Sequence, residues 1–217
     1  MTYEVKNYGL LEDEITPDNY SSNDVLGGGS LAKEIIRPNG DWIDVLPSYE
    51  VQARDGLDSY NCTGFGTENG ISVLAKAKFD FNLNKSERQI GVRAGTKPPG
   101  NSPHIVCESI RHNGLIDEDV LPFDDKIKSL EQYYSFEGKD RLIESLEKLW
   151  LEQFSFGHEW VFTKETPPKE KHELIKEYLQ YSPLGVSVMA WRQDGKYFVK
   201  RPGEKDTHWT LMVNTND

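Results

Sequence analysis

Cysteine is scarce in this sequence, with Cys62 and Cys107 the only two in 217 residues. That is too few for a disulfide framework, so apolar burial has to supply the core of a chain this long. A reducing compartment suits both thiols. Long apolar runs are also missing: the hydrophobic stretches are short and interrupted, which excludes a membrane-spanning helix. Met1 to Glu14 are acidic with no apolar signal core, so the expected location is cytoplasmic. Basic residues are in deficit, 25 Lys and Arg against 36 Asp and Glu, for a net charge of −11. Nucleic acid is therefore not an expected partner, because backbone binding relies on clustered cations to displace counterions. Metal-ligand spacing is absent as well. His158-Glu159 and His172-Glu173 lack the second histidine of a zinc helix, and two cysteines build no finger. His104 and His112 read as ordinary polar positions, and no metal or cofactor is expected.

What is present is the composition of a folded chain: 36% apolar, 28% charged and 11% aromatic residues. The first forty residues are rich in turn formers, with Pro17-Asp18-Asn19, Gly27-Gly28-Gly29-Ser30 and Pro38-Asn39-Gly40, and read as an arm or wrapping segment. Gly27 to Gly29 are not followed by the Lys-Ser or Lys-Thr of a phosphate loop, so they read as loop.

From Cys62 to Lys78 the positions of Phe65, Ile71, Val73, Leu74 and Ala77 predict a buried helix. Gly64, Gly66 and Gly70 each cost such a helix about 1 kcal/mol against Ala, so close packing must hold it. Asn61 is the expected N-cap, which places Cys62 on the first turn. A second helix is predicted from Ser102 to Asn113 with Gly114 ending it, and Cys107 reads as a small core residue within it. Amphipathic helices are predicted over Lys139 to Phe154 and Pro168 to Tyr181, and the charged run Lys164 to Lys171 reads as a solvated loop and helix start. After Pro183 the pattern alternates, with Val186, Val188 and Ala190, then Tyr197 and Val199, then Trp209, Leu211 and Val213. Helices first and strands last give an α+β fold.

A cysteine on the first turn of a helix sits at the positive end of the dipole, and a histidine brought from elsewhere lowers its pKa further. His208, on a predicted late strand, is the candidate partner. Several stretches carry a wider pattern. Asp41-Trp42, Leu46-Pro47, Val51-Gln52 and Asp55-Gly56 lead into Ser59-Tyr60-Asn61-Cys62-Thr63-Gly64-Phe65. Then follow Ser86-Glu87-Arg88-Gln89, Gly100-Asn101-Ser102-Pro103, Ile110 to Leu115, Leu121-Pro122-Phe123, Ser182 to Val188 and Asp206 to Val213. In order and separation these resemble the papain-like cysteine peptidases.

The resemblance implies a two-lobed fold, with a helical lobe over about 50–150 and an antiparallel β lobe over about 151–217 whose barrel is incomplete. It implies acyl transfer, with Cys62 as nucleophile and His208 as acid and base, acting on a peptide or protein substrate bound along Gly100, Asn101 and Ser102. Gln52 is the implied oxyanion donor, although it lies ten positions before Cys62 where the family has six. Thr63 replaces the family's aromatic. No residue in the place of the family's Asn or Asp orients His208: Asn214, Asn216 and Asp217 stand too close to it in sequence, so the sequence resembles a member cut short. The alternative expectation is a weak or inactive papain-like binding or structural module. Oligomeric state is not encoded in any of these features.

Overall fold

The structure is a computed structural model that describes residues 7–13, 34–189, 193–194, 197–199 and 203–215. Gly27 to Gly29, Ala190, Asn216 and Asp217 lie outside them. In chain order the elements are β1 (Gly9–Leu10), a 3-10 turn (Ile43–Val45), β2 (Ala53–Arg54), β3 (Leu57–Asp58), α1 (Cys62–Phe79) and α2 (Glu87–Arg93). They continue with β4 (Gly100–Asn101), α3 (Pro103–Asn113), a second 3-10 turn (Glu118–Val120), α4 (Leu130–Tyr133), α5 (Asp140–Gln153) and α6 (Pro168–Tyr178). Last come β5 (Leu184–Val188), β6 (Gln193–Asp194), β7 (Tyr197–Phe198) and β8 (His208–Met212). The fold is α+β, with five of the helices before residue 160 and the longer strands after residue 180.

The strands pair two by two among the described residues. β5 and β8 run antiparallel with Gly185 opposite Leu211 and Val188 opposite His208; β2 with β3 and β6 with β7 are tight antiparallel pairs. β1 is different, because it lies parallel to β4 and joins the start of the chain to a segment ninety residues on. The other described part of the first forty residues also meets a distant segment: Ile36 and Arg37 donate their N–H groups to Gln180 O at 2.9 and 3.0 Å.

α1 is the central element and packs against β8, α2 and α3. Its glycines are explained by what approaches them. A Cβ at Gly66 would stand 2.7 Å from Trp209 Cδ1, and one at Gly64 2.6 Å from the Asn61 carboxamide. Bare backbone at these positions lets a β8 tryptophan and a polar side chain seat on the helix. Asn61 occupies the N-cap position, but its side chain does not cap α1. Its Nδ2 donates instead to Glu87 O at 2.8 Å and to the Tyr133 hydroxyl at 3.0 Å, tying α1 to α2 and α4. Tertiary demand overrides the local capping preference here. α3 follows the sequence reading closely: Ser102 Oγ accepts from Ile105 N, and Gly114 ends the helix at φ +82°.

In α5 the buried face is not the one the apolar pattern suggests. Ile143 and Trp150 are buried, Leu142 and Leu149 are exposed, and the third buried position is Glu147. Its carboxylate takes two hydrogen bonds from the Arg93 guanidinium, at 2.7 and 2.6 Å, and one from Gln89 Nε2 at 2.6 Å. A buried charge is tolerated when its lone pairs are this fully satisfied. α6 ends at Tyr178, three residues before the predicted Tyr181, and Trp42, Val73, Leu179 and Leu184 close the core beside it.

Candidate functional site

Cys62 is the first residue of α1, with Thr63, Gly64 and Phe65 completing a buried first turn. Its Sγ accepts a hydrogen bond of 3.3 Å from the backbone N–H of Trp209. The neighbour of Trp209 on β8 is His208, so the packing of β8 on α1 carries the two candidate residues, 146 positions apart in sequence, to one place. Asp58 adds a negative charge that acts on both. The Asp58 carboxylate is positioned by Gln52 Nε2 at 2.9 Å and by the N–H of Tyr60 at 2.9 Å.

Gln52, Cys62 and the Gly100–Asn101 edge all converge on one segment of the chain itself. β1 lies along Gly100 and Asn101, and Leu11 N donates to Asn101 O at 2.9 Å. Tyr8 N donates to Thr207 O at 2.8 Å, and the Tyr8 carbonyl receives Gln52 Nε2 at 2.8 Å. The Tyr8 ring meets the His208 ring edge-on, with 6.4 Å between centroids. Gly9 passes so close to α1 that a Cβ there would overlap the Tyr60 carbonyl and stand 3.1 Å from Cys62 N. Gly9 at φ +116° and Gly100 at φ +142° are both in backbone states that side chains disfavour, and the bare Gly100 leaves room for the Gly9 backbone. Two further contacts anchor the strap. Asn7 Oδ1 accepts from Gly9 and Leu10 N–H groups, and Asp13 caps α3, accepting from the Ser102 hydroxyl and, at 3.0 Å, from His104 N.

Covered in this way, Cys62 is 1% exposed. Burial pushes its thiol up to about 12, against the N–H groups of Trp209 and Thr63 that favour the thiolate. Burial also lowers the His208 pKa, and the Asp58 charge offsets part of that. The accessible, low-pKa thiolate of the sequence reading is thus not the state of this structure: desolvation outweighs the helix terminus. Cys107 is half-buried, 4.0 Å from Thr67 Oγ1, with its thiol pushed up to about 12 by burial.

All the residues read from sequence as candidates, Cys62, His208, Gln52, Gly100, Asn101 and Ser102, therefore surround the strap. Asn101 and Ser102 also have internal duties. Asn101 Nδ2 donates to Ala94 O and Thr96 Oγ1, and Ser102 caps α3. Tyr8, Gly9 and Asp58 escaped the sequence reading. Asp58 sits in plain view four positions before Cys62, but nothing local marks its side chain as turned inward. His104 and His158, read as ordinary, meet through Nδ1 and Nε2 at 3.1 Å beside Glu108. Among the described residues no group of His, Cys, Asp and Glu is arranged to hold a metal ion, and no helix is long and apolar enough to cross a membrane. No protein-family model and no curated protein matches the chain.

Proposed function

We propose that this chain is a papain-like cysteine peptidase in a closed state, with Cys62 as nucleophile and His208 as general acid and base. The observation that carries the reading is what occupies the groove: an extended peptide lies between the Gly100–Asn101 edge and Cys62, and its carbonyl is held by the Gln52 amide. A groove that holds backbone by strand pairing recognises peptide as a chemical class. With the strap displaced, the Cys62 thiolate attacks the carbonyl carbon of a substrate peptide bond. The oxyanion takes hydrogen bonds from Cys62 N–H and Gln52 Nε2. The C–N bond breaks as the His208 imidazolium gives its proton to the leaving amine. Water then attacks the thioester, His208 takes up its proton, and the acid product leaves with the thiolate regenerated. Asp58 acts on the imidazolium as a nearby negative charge.

The burial of Cys62 favours a second reading, in which the closed state is permanent and the chain serves as a peptidase-like binding module. Hydrolysis of a fluorogenic peptide amide separates the two. Turnover that appears when the strap is displaced, and that disappears in Cys62→Ala and in His208→Ala, supports the enzyme. Absence of turnover in every strap-displaced form supports the module.

A further inference from the structure

A second site lies away from the strap, where four carboxylates from distant parts of the chain gather. Glu50, Glu87 and Glu118 line a cleft of about 300 Å³ with Phe65, Phe123 and Arg54. Glu68 lies close enough for its charge to act on Glu87 and Glu118. Glu87 is 1% exposed; its carboxyl shares a hydrogen bond with Glu50, while its Oε1 has no partner among the described residues. Glu118 accepts from Phe123 N at 2.8 Å through Oε1, while its Oε2 is buried and equally without a partner. Buried carboxylate oxygens are almost always satisfied, so two orphan oxygens on residues that line one cleft need an explanation. Arg54 does not supply it. Its guanidinium lies over the Phe123 ring, 5.7 Å from the centroid, and its buried Nε is itself without a partner among the described residues.

We infer that this cleft is a binding site for an ammonium or guanidinium group on a short apolar stem, with Glu87 and Glu118 as the ion-pairing residues and Phe65 and Phe123 as the walls. The chemistry follows from the lining. Carboxylates that lack donors accept from a cation with several N–H groups, and aromatic faces add attraction for that cation and burial for its stem. A divalent metal ion is disfavoured, because no group of side chains there is arranged to ligate one. Burial raises the pKa values of Glu87, Glu118 and Glu68, the hydrogen bond with Glu50 raises Glu87 further, and repulsion among the carboxylates adds to all three; a bound cation offsets the repulsion. The charged groups that face the cluster are Arg54 in the lining, Arg88 acting on Glu118 and Lys85 acting on Glu68.

The cation has two sources, a free small amine or the basic side chain of a peptide, and the test separates them. Butylammonium, neutral butanol and an acetylated Gly-Lys-Gly amide are titrated by calorimetry into the full chain at pH 8 and pH 5.5. Saturable one-to-one binding of butylammonium is expected, about tenfold tighter at pH 8, where the Glu118 carboxyl, raised to about 7, ionises, with butanol at least tenfold weaker. A peptide that binds at least as tightly as butylammonium identifies a side-chain site, and a weaker one a small-amine site. Glu118→Gln keeps the acceptor for Phe123 N and should lose about tenfold in affinity, as should Glu87→Gln. Labelling of Cys62 is the independent readout, and these variants leave it unchanged, so failure here is distinct from failure of the peptidase reading. Butanol binding as well as butylammonium, calcium binding more tightly than either, affinity unchanged in both Gln variants, or no saturable binding at pH 8 overturns the assignment.

Discussion

Replacing Gly9 by valine is the sharpest perturbation of the closed site. Hydrogen bonds that hold the strap include Tyr8 N to Thr207 O, Leu11 N to Asn101 O, Gln52 Nε2 to Tyr8 O, and the two that Asp13 accepts from the Ser102 hydroxyl and His104 N. Each contributes about 1 kcal/mol net, and the buried Leu10 side chain adds roughly 2 kcal/mol. Ordering residues 7–13 costs about 1–2 kcal/mol per residue, so these gains at best balance the cost and the strap is poised for displacement. A β-branched side chain at φ +116° is strained and collides with the Tyr60 carbonyl, so Gly9→Val expels the strap and, with it, the Leu10 side chain. The thiol then returns from about 12 toward its ordinary 9.0. At pH 8 the thiolate fraction rises by roughly a thousandfold, while the less basic thiolate is about twentyfold less nucleophilic, for a net gain of about fiftyfold in alkylation rate. Iodoacetamide labelling followed by peptide mapping reads this directly, with Cys107, on the far side of the Thr67 contact, followed in the same digest. A folded Gly9→Val chain whose Cys62 reacts no faster than the wild type refutes the strap. So does equal acceleration of Cys107, which would mean general loosening.

Two further consequences concern stability. Glu68 is 3% exposed with its carboxyl raised from 4.5 to about 7, so its favourable contribution is complete below pH 4.5 and is lost as pH rises to about 7. Chemical denaturation should show Glu68→Gln more stable than wild type by up to roughly 3 kcal/mol at pH 8, with the difference gone near pH 4; a difference that does not vary with pH contradicts the assignment. Arg88 is 1% exposed, and its guanidinium donates to the carbonyls of Pro122, Gln132, Tyr133 and Ser135 and to Glu137, fastening the 122–137 segment to α2. Lysine reproduces neither the planar fork nor the donor count, so Arg88→Lys should cost about 3 kcal/mol or more in urea denaturation, and a loss below about 1 kcal/mol rejects that role.

The helices were legible in the sequence where local chemistry fixes them. Ser102 and Gly114 bracket α3, and the glycine-rich helix after Asn61 was readable together with its need for close packing. The partner that meets those glycines, Trp209, was not readable, because a contact between residues so far apart leaves no local period. Asn61 shows the same limit: its N-cap signal is correct for position and misleading for the side chain, which α2 and α4 claim. Glu147 was hidden because a buried carboxylate on an amphipathic helix looks like a solvated one until Arg93 and Gln89 are placed beside it. At the site, residue type and helix position pointed to Cys62 with His208 as its partner, and only the family resemblance pointed to Gln52 and Gly100. The strap could not be read, since a two-residue strand paired across ninety residues has no periodicity to detect.

The most direct test of the central claim is intact-mass spectrometry of the Gly9→Val chain mixed with a peptide ester and quenched in acid within milliseconds. The account predicts a transient adduct with the mass of the acyl group, mapped to Cys62, absent in Cys62→Ala and slow to form in His208→Ala. A Gly9→Val chain whose Cys62 alkylates readily but never carries an acyl group would contradict it.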